Sequence, residues 1–466
     1  MAALPYHYTR AFEHDWVTHL GPIYVATLVF VVGALLALRA MLRDGRSTRS
    51  SWRFERERTM RRIAVTTIGI LMTMCAATAH ADVVTDWNQI AIDMLKAANI
   101  AVNPWSRSMA MVHVAMSDAI NTVQGRYVSY TAKLPAAPNA SAEVAAVSAA
   151  RDVLIQLVPA QRAKIDEAYA DSLARLPDGA AKNDGITLGE RVAALVQADR
   201  STDATNVPDT YRPITMPGVW IPTQPPSFAE YAQAKPWGMK SADQFRPGPP
   251  PPLSSALYAR DYNETKDLGG AKSAKRTAQQ TEAVRFWTTG NFLPSWNQVA
   301  RQLSAAKGLG LAENARLFAL VNMGIANNYI CDWDAKFHYN RWRPVTAIRN
   351  GDQDGNDATE RDAGWTPLNA TPMHPEYPSS AAIVAGVSSG VLESVFGTGS
   401  LQILTVTDSA DSRLQRQFNS IAQMAEEQRM VRIWGGIHFR NSLEVSEQMG
   451  RKLATHLLTN IMTPVR

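Results

Sequence analysis

Apolar residues recur at helical spacing along almost all of residues 82–466, and strand-like alternation is nearly absent. Trp87, Ile90, Ile92 and Leu95 share one face, as do Met109, Val112, Met116 and Ile120, and the alanine-rich stretch Ala140–Val158 continues the pattern. The chain is therefore expected to be all-α, a helical bundle with little or no β-sheet. Further helices are expected at about 254–265, 271–287, 296–307, 314–334, 379–395, 409–424 and 442–460. Prolines crowd residues 200–253, with a run from Pro249 to Pro252. No helix passes through such a run, because proline lacks the amide proton and its ring clashes with the preceding turn. These patterns divide the chain into an export-type region at 1–81, an N-terminal helical part at 82–199, a Pro-rich connector at 200–253 and a helical core at 254–466. The connector reads as an ordered strap around the domain or as a flexible linker.

Two hydrophobic stretches, Gly21–Leu38 and Ile63–Ala79, flank a loop of arginines from Arg39 to Arg62. Met60-Arg61-Arg62 followed by an apolar run and Ala79-His80-Ala81 has the form of a signal peptide over 60–81, with Met60 as an alternative start. Residues 21–38 are long enough for a transmembrane segment, and the arginine loop would stay inside by the positive-inside rule. Either arrangement leaves the chain after Ala81 outside the cytoplasm, periplasmic or secreted, with a possible membrane anchor at its N-terminal end.

The formal charge of +5 comes from that region: residues 1–81 hold ten arginines, no lysine and five acids, and the remainder is balanced. No basic footprint for nucleic acid remains. Two cysteines, Cys75 and Cys331, exclude Cys-based zinc sites and iron–sulfur clusters, which need several thiolates each. The acidic run Asp352–Asp357 opens like a calcium loop, but its glycine falls at the fourth position and Ala363 stands where a bidentate Glu belongs, so it reads as a solvated loop.

Three segments carry chemistry: Lys336 to Arg343-Pro344 fits K-x6-R-P, Pro378-Ser379-Ser380-Ala381 falls where P-S-G-H would stand, and Arg432 to His438 fits R-x5-H. Lys336 and Arg343 are two turns apart on a continuous helix, so both cations can reach one anion, with Arg432 as a third. Ser379 precedes an apolar run and can open a helix whose free amides attract an anion. His438 offers a neutral imidazole nitrogen, able to ligate a metal centre or to attack phosphorus.

In order and spacing these segments, with Trp87-Asn88 and the stretch from His113 to Asn121, resemble the vanadium-dependent haloperoxidase and type-2 phosphatidic acid phosphatase superfamily, in particular its bacterial haloperoxidase branch. The resemblance implies that superfamily's helical bundle, with vanadate as cofactor. It implies that Lys336, Arg343, Ser379, the Ser380 amide and Arg432 hold the equatorial oxygens, with His438 as the metal ligand. Hydrogen peroxide and halide would then be the substrates. The alternatives are a periplasmic acid phosphatase that takes a phosphate ester through a phosphohistidine at His438, and a catalytically weak oxyanion-binding protein.

Two positions depart from the pattern. Ala381 stands where the superfamily's acid–base histidine would be, and His374, five residues before Ser379, is the expected substitute; a histidine there hints at bromide or iodide chemistry. Ser442 stands where an Asp would orient His438, which implies weaker support or a backbone carbonyl in that role. Trp333 is expected to line a halide pocket or to pack in the core. His338 is expected to be a structural neighbour, His113 a hydrogen-bonded core histidine and Cys331 a small core residue.

Overall fold

The computed structural model describes residues 82–465, apart from 204–206, 209, 223 and 400–401. The expected span at 21–38 and signal peptide at 60–81 lie outside the described residues. Among the described residues, no helix is long and apolar enough to cross a membrane.

The long helices expected from the sequence are present, thirteen α-helices in all among the described residues. The first part comprises α1 (Val83–Ala97), α2 (Val102–Gln124), α3 (Ala142–Leu157), α4 (Arg162–Ala174) and α5 (Ala180–Asp199). The second comprises α6 (Ala256–Gly269), α7 (Ala278–Thr289), α8 (Leu293–Lys307), α9 (Leu311–Tyr339), the short α10 (Pro344–Arg349), α11 (Ser380–Phe396), α12 (Ile421–Trp434) and α13 (Arg440–Asn460). Local chemistry sets several starts. Asp82 caps α1 by accepting from the Val84 and Thr85 amides, and Thr277 with Gln280 forms a reciprocal capping box on α7.

Helix α9 is the central element. It is buried on every side along most of its length and packs against α1, α2, α8, α11 and α13, as a helix without a polar face must. Helices α11 and α13 approach so closely that a side chain at Gly386 would place its Cβ 2.5 Å from the Glu447 carbonyl oxygen. Helix α11 is thereby fixed against α13, and its first turn against α9. The Pro-rich segment lies along α9: Asn327 brackets Trp237 by accepting from its amide at 2.8 Å and donating to its carbonyl at 2.7 Å.

Two expectations are corrected. Of the helix expected at 409–424, residues 409–420 are not helical and the rest is the first turn of α12. Leu404–Thr407 (β1) pairs antiparallel with Gln415–Phe418 (β2), and α12 begins only after Ser420 caps it. Alternation decides this: Leu404, Val406 and Phe418 face the core while their neighbours face out, and Asp408 ties the turn by accepting from the Ala410 and Asp411 amides. Nor do Lys336 and Arg343 share a helix. Helix α9 stops at Tyr339, Asn340 adopts the left-handed conformation, and Arg343 is the extended N-cap of α10 with Pro344 in the first turn.

Candidate active site

Arg343 is the hub. Leaving α9 for α10, its fully buried guanidinium donates from Nε to the His374 carbonyl at 3.0 Å and from Nη1 to the Ile437 carbonyl at 2.8 Å. Nη1 also lies 3.0 Å from His438 Nε2, and Nη2 lies 3.0 Å from His374 Nδ1. Burial pulls the guanidinium down to about 9.

Lys336, in the last turn of α9, is wholly buried. Its ammonium donates to the carbonyls of Pro375 at 3.1 Å, Glu376 at 3.2 Å and Pro378, and lies 3.6 Å from Asp332 Oδ1. Three carbonyls occupy its three protons, so Lys336 ties the 375–378 loop to α9 while adding positive charge. Desolvation lowers its pKa to about 8.

That loop delivers Ser379 and Ser380 to the start of α11. The Ser379 amide donates to Ser446 Oγ at 2.7 Å, while its buried hydroxyl makes no hydrogen bond, not even a cap. Ser380 Oγ accepts from Asn328 Nδ2 of α9 at 3.1 Å. Ala381 is buried and supplies no titratable group.

Helix α12 brings Arg432, whose Nε is buried without a partner. The chain then turns back, with the Ile437 amide on the Arg432 carbonyl at 3.1 Å and Gly436 at positive φ, and this turn carries His438. The charge of Arg432 is felt at Arg343, His374 and His438. The five side chains expected to meet, Lys336, Arg343, Ser379, Arg432 and His438, therefore come from three segments into one buried cluster.

The carboxylate that supports His438 was missed. Glu376, itself buried, accepts from His438 Nδ1 at 2.7 Å and from the Phe439 amide at 3.2 Å. The serine at 442 implied weaker support for His438 or a backbone carbonyl in that role; instead Glu376 fills it, and Ser442 lines the same small hollow and steadies the Glu376 carboxylate. The sequence held one clue: Glu376 is the only Asp, Glu, Lys or Arg between Asp362 and Glu393. Hydrogen bonding thus assigns the His438 tautomer, with the proton on Nδ1 and the lone pair on Nε2. Burial, then Arg343, Lys336 and Arg432, hold His438 well below the ordinary histidine range, so the ring is neutral. Burial pushes the Glu376 carboxyl up, and Arg343 and Lys336 oppose the shift.

His374 stands beside this group with Nδ1 on Arg343 and its ring against Trp333 at 4.8 Å between centroids. Burial and the neighbouring cations keep it neutral too. The same Nδ1 lies 3.3 Å from the Pro375 carbonyl, so Arg343 and the loop together fix the ring's orientation. Trp333 is buried and spends its indole N–H on the Ser227 carbonyl at 3.0 Å. His338 is exposed, and Cys331 is a buried free thiol. A cavity of about 390 Å³ lined by Trp220, Arg343, Thr371, Pro372 and Met373 reaches the hub. A larger hollow of about 790 Å³ lies between α1 and α8 and touches none of these groups.

Residues 316–466, which hold all of this cluster, match the family model described as VCPO second helical-bundle domain. Over that span the chain is similar to the second helical bundle of the vanadium haloperoxidases. Vanadium chloroperoxidase of Curvularia inaequalis is 27% identical over 173 residues, 31% of this chain and 28% of that enzyme, so the aligned part is well under half of the fungal protein. Among solved structures, the first bacterial vanadium-dependent iodoperoxidase superposes with a TM-score of 0.67 at 24% identity, covering 82% of this chain and 98% of its own. A holo-type bacterial vanadium-dependent chloroperoxidase gives 0.63 at 17% identity, with 76% and 91% covered. At these identities the structural matches establish the shared haloperoxidase fold, which extends well beyond the segment matched by the family model.

Proposed function

We propose that the chain is an exported, vanadate-dependent haloperoxidase-like enzyme that oxidises halide with hydrogen peroxide. One observation carries the reading: His438 is buried, neutral and fixed by Glu376 with its Nε2 lone pair 3.0 Å from the Arg343 guanidinium. Vanadate would take a neutral imidazole nitrogen as ligand and several cationic, hydroxyl or N–H donors around its oxygens. The unpartnered Ser379 hydroxyl and Arg432 Nε are donors of this kind, and the Ser380 amide opens α11, where a helix has no internal partner for it. These residues fit vanadate. Arg343, Ser379, Ser380 and Arg432 would hold its oxygens, His438 would ligate it, and Lys336 would add charge through the loop it tethers. When bound, vanadate supplies the Lewis-acid chemistry that activates hydrogen peroxide toward halide.

The protein's own groups have separate tasks. Glu376 keeps the proton on Nδ1, so Nε2 stays available as a ligand. Three buried cations offset the cost of gathering a multiply charged anion. His374 offers a ring nitrogen where Ala381 offers nothing, and a histidine at this position supports bromide or iodide as the halide.

The same lone pair would also serve a phosphohistidine intermediate, and this makes an acid phosphatase the second reading. The test is bromination of monochlorodimedone and oxidation of iodide by the full-length protein with orthovanadate and peroxide, beside p-nitrophenyl phosphate hydrolysis without vanadate. Vanadate-dependent halide oxidation is expected. Ester hydrolysis alone would establish the phosphatase, and anion binding without turnover would leave an oxyanion-binding protein. We place the enzyme outside the cytoplasm on the export-type segment at 60–81; sequencing the exported protein should give Asp82 first, and an intact N-terminus on a cytoplasmic protein would overturn that placement.

A further inference from the structure

Asp332 plays no part in the reading above, yet it lies inside the same cluster. On α9 it is one turn after Asn328 and one turn before Lys336, so the three side chains form a single stripe. Both ends of the stripe are pinned to the turn that opens α11. Asn328 donates to Ser380 Oγ at 3.1 Å, and Lys336 donates to the carbonyls of Pro375, Glu376 and Pro378. Asp332, between them, faces the same turn. It is fully buried, with the Lys336 ammonium 3.6 Å from Oδ1 and the Ser380 hydroxyl close enough to steady the ionised carboxyl, yet neither oxygen receives a hydrogen bond of full geometry.

A buried carboxyl short of donors is costly to leave in that state. Three other buried atoms in the cluster share the condition: Asn328 Oδ1, Ser379 Oγ and Arg432 Nε. Leftover donors and leftover acceptors from three helices around one spot mean that its missing partner both accepts and donates. Phosphate and vanadate do so at neutral pH, because they keep dissociable protons. Sulfate, fully deprotonated, only accepts. Burial also lifts the Asp332 carboxyl to about 6, against the pull of Lys336 and Arg343, so a proton is readily kept between it and a bound anion.

We propose that Asp332 forms the acidic wall of the oxyanion pocket and selects anions that bring a proton, admitting phosphate and vanadate and rejecting sulfate. The inference rests on the oxyanion pocket of the proposed function and adds its selectivity. It also explains why a pocket with three cations tolerates a carboxylate: Asp332 accepts the hydrogen bond that the anion's hydroxyl donates.

The test is calorimetric titration of the full-length protein near neutral pH with inorganic phosphate, orthovanadate and sulfate in turn. The natural chain should bind phosphate and vanadate roughly ten- to a hundredfold tighter than sulfate. Asp332→Asn is nearly isosteric and replaces an acceptor by a donor, so it should bind sulfate at least as well as phosphate, with an unchanged melting profile. Asp332→Ser, which removes the charge differently, should lose discrimination as well. Equal affinity for sulfate and phosphate in the natural chain, or an unchanged preference in Asp332→Asn, overturns the role of Asp332 and leaves the pocket standing. Failure of the natural chain to bind any of the three anions overturns the pocket itself, and this inference with it.

Discussion

His113 and His438 are buried equally deeply, and burial holds both rings neutral, His113 down to about 3. Their surroundings differ in kind. His113 lies among amides: Asn88 donates to its Nε2 at 2.8 Å and to Asn297 Oδ1 at 2.7 Å, Asn297 and Asn322 bond each other, and Arg301 reaches Asn88. The ring also stacks on Phe318 at 5.5 Å between centroids. Apart from one His113 ring nitrogen, that network closes on itself. Around His438 three cations meet two acids, and a hydroxyl, a guanidinium nitrogen and a carboxylate are left without a hydrogen bond of full geometry. Burial and a lowered pKa therefore do not mark a site by themselves. Charged donors and acceptors left over after the protein's own bonds are counted do, because each buried orphan costs free energy that a ligand can return.

The comparison breaks most visibly by truncating each ring. His438→Ala should reduce vanadate-dependent halide oxidation to background with the fold kept. His113→Ala should leave turnover near normal and lower stability by about 1–3 kcal/mol as Asn88 loses its acceptor. Steady-state assays and thermal melts on the two variants check this, and comparable turnover losses in both would erase the distinction. Next in size is Glu376→Gln. The amide keeps the volume but loses the charge that fixes the His438 tautomer, so vanadate affinity should fall about 10–100-fold, read by calorimetry.

How much of this was visible beforehand depends on distance along the chain. Helical periodicity located the long helices because each carries its own pattern over three turns or more. It failed at 404–418, where the alternation spans only four residues in each strand and does not stand out against the helical pattern around it, and at Lys336–Arg343, where Pro344 already forbade a continuous helix by pushing Arg343 to extended backbone. Lys336, Arg343, Ser379, Arg432 and His438 stood out because their types and order repeat a pattern. Glu376 and Asp332 did not. Glu376 meets His438 across 62 positions, and Asp332 matters through partners it lacks. Neither relation leaves a periodic trace in the sequence.

A further effect is the pH dependence that His113 gives to stability. A buried ring whose pKa is lowered takes up its proton more readily in the unfolded chain, so its contribution to stability is complete above about pH 6.5 and declines as pH falls toward the folded value. For His113 that window runs from about 6.5 to about 3. Each pH unit within it should cost about 1.4 kcal/mol. His113→Gln, which keeps a polar group but cannot titrate, should therefore show a shallower loss of stability with acid. Denaturant melts at pH 7, 6 and 5 measure this, and parallel curves for the two proteins would show that another group governs acid unfolding.

The smallest expected effect falls inside the first of the three motifs. His338 lies between Lys336 and Arg343 in K-x6-R-P, yet it is exposed, with its ring edge-on to Tyr339 at 4.8 Å. Lys336 points back to the 375–378 loop, and Arg343 lies beyond the break at Asn340, so neither shares a face with His338. Exposed substitutions away from such features usually change stability by no more than about 0.5 kcal/mol. His338→Ala should stay within that range and leave vanadate affinity unchanged. A clear drop in affinity would mean that the motif acts through its whole length. An unchanged value would confine its chemistry to the two residues whose side chains leave the surface.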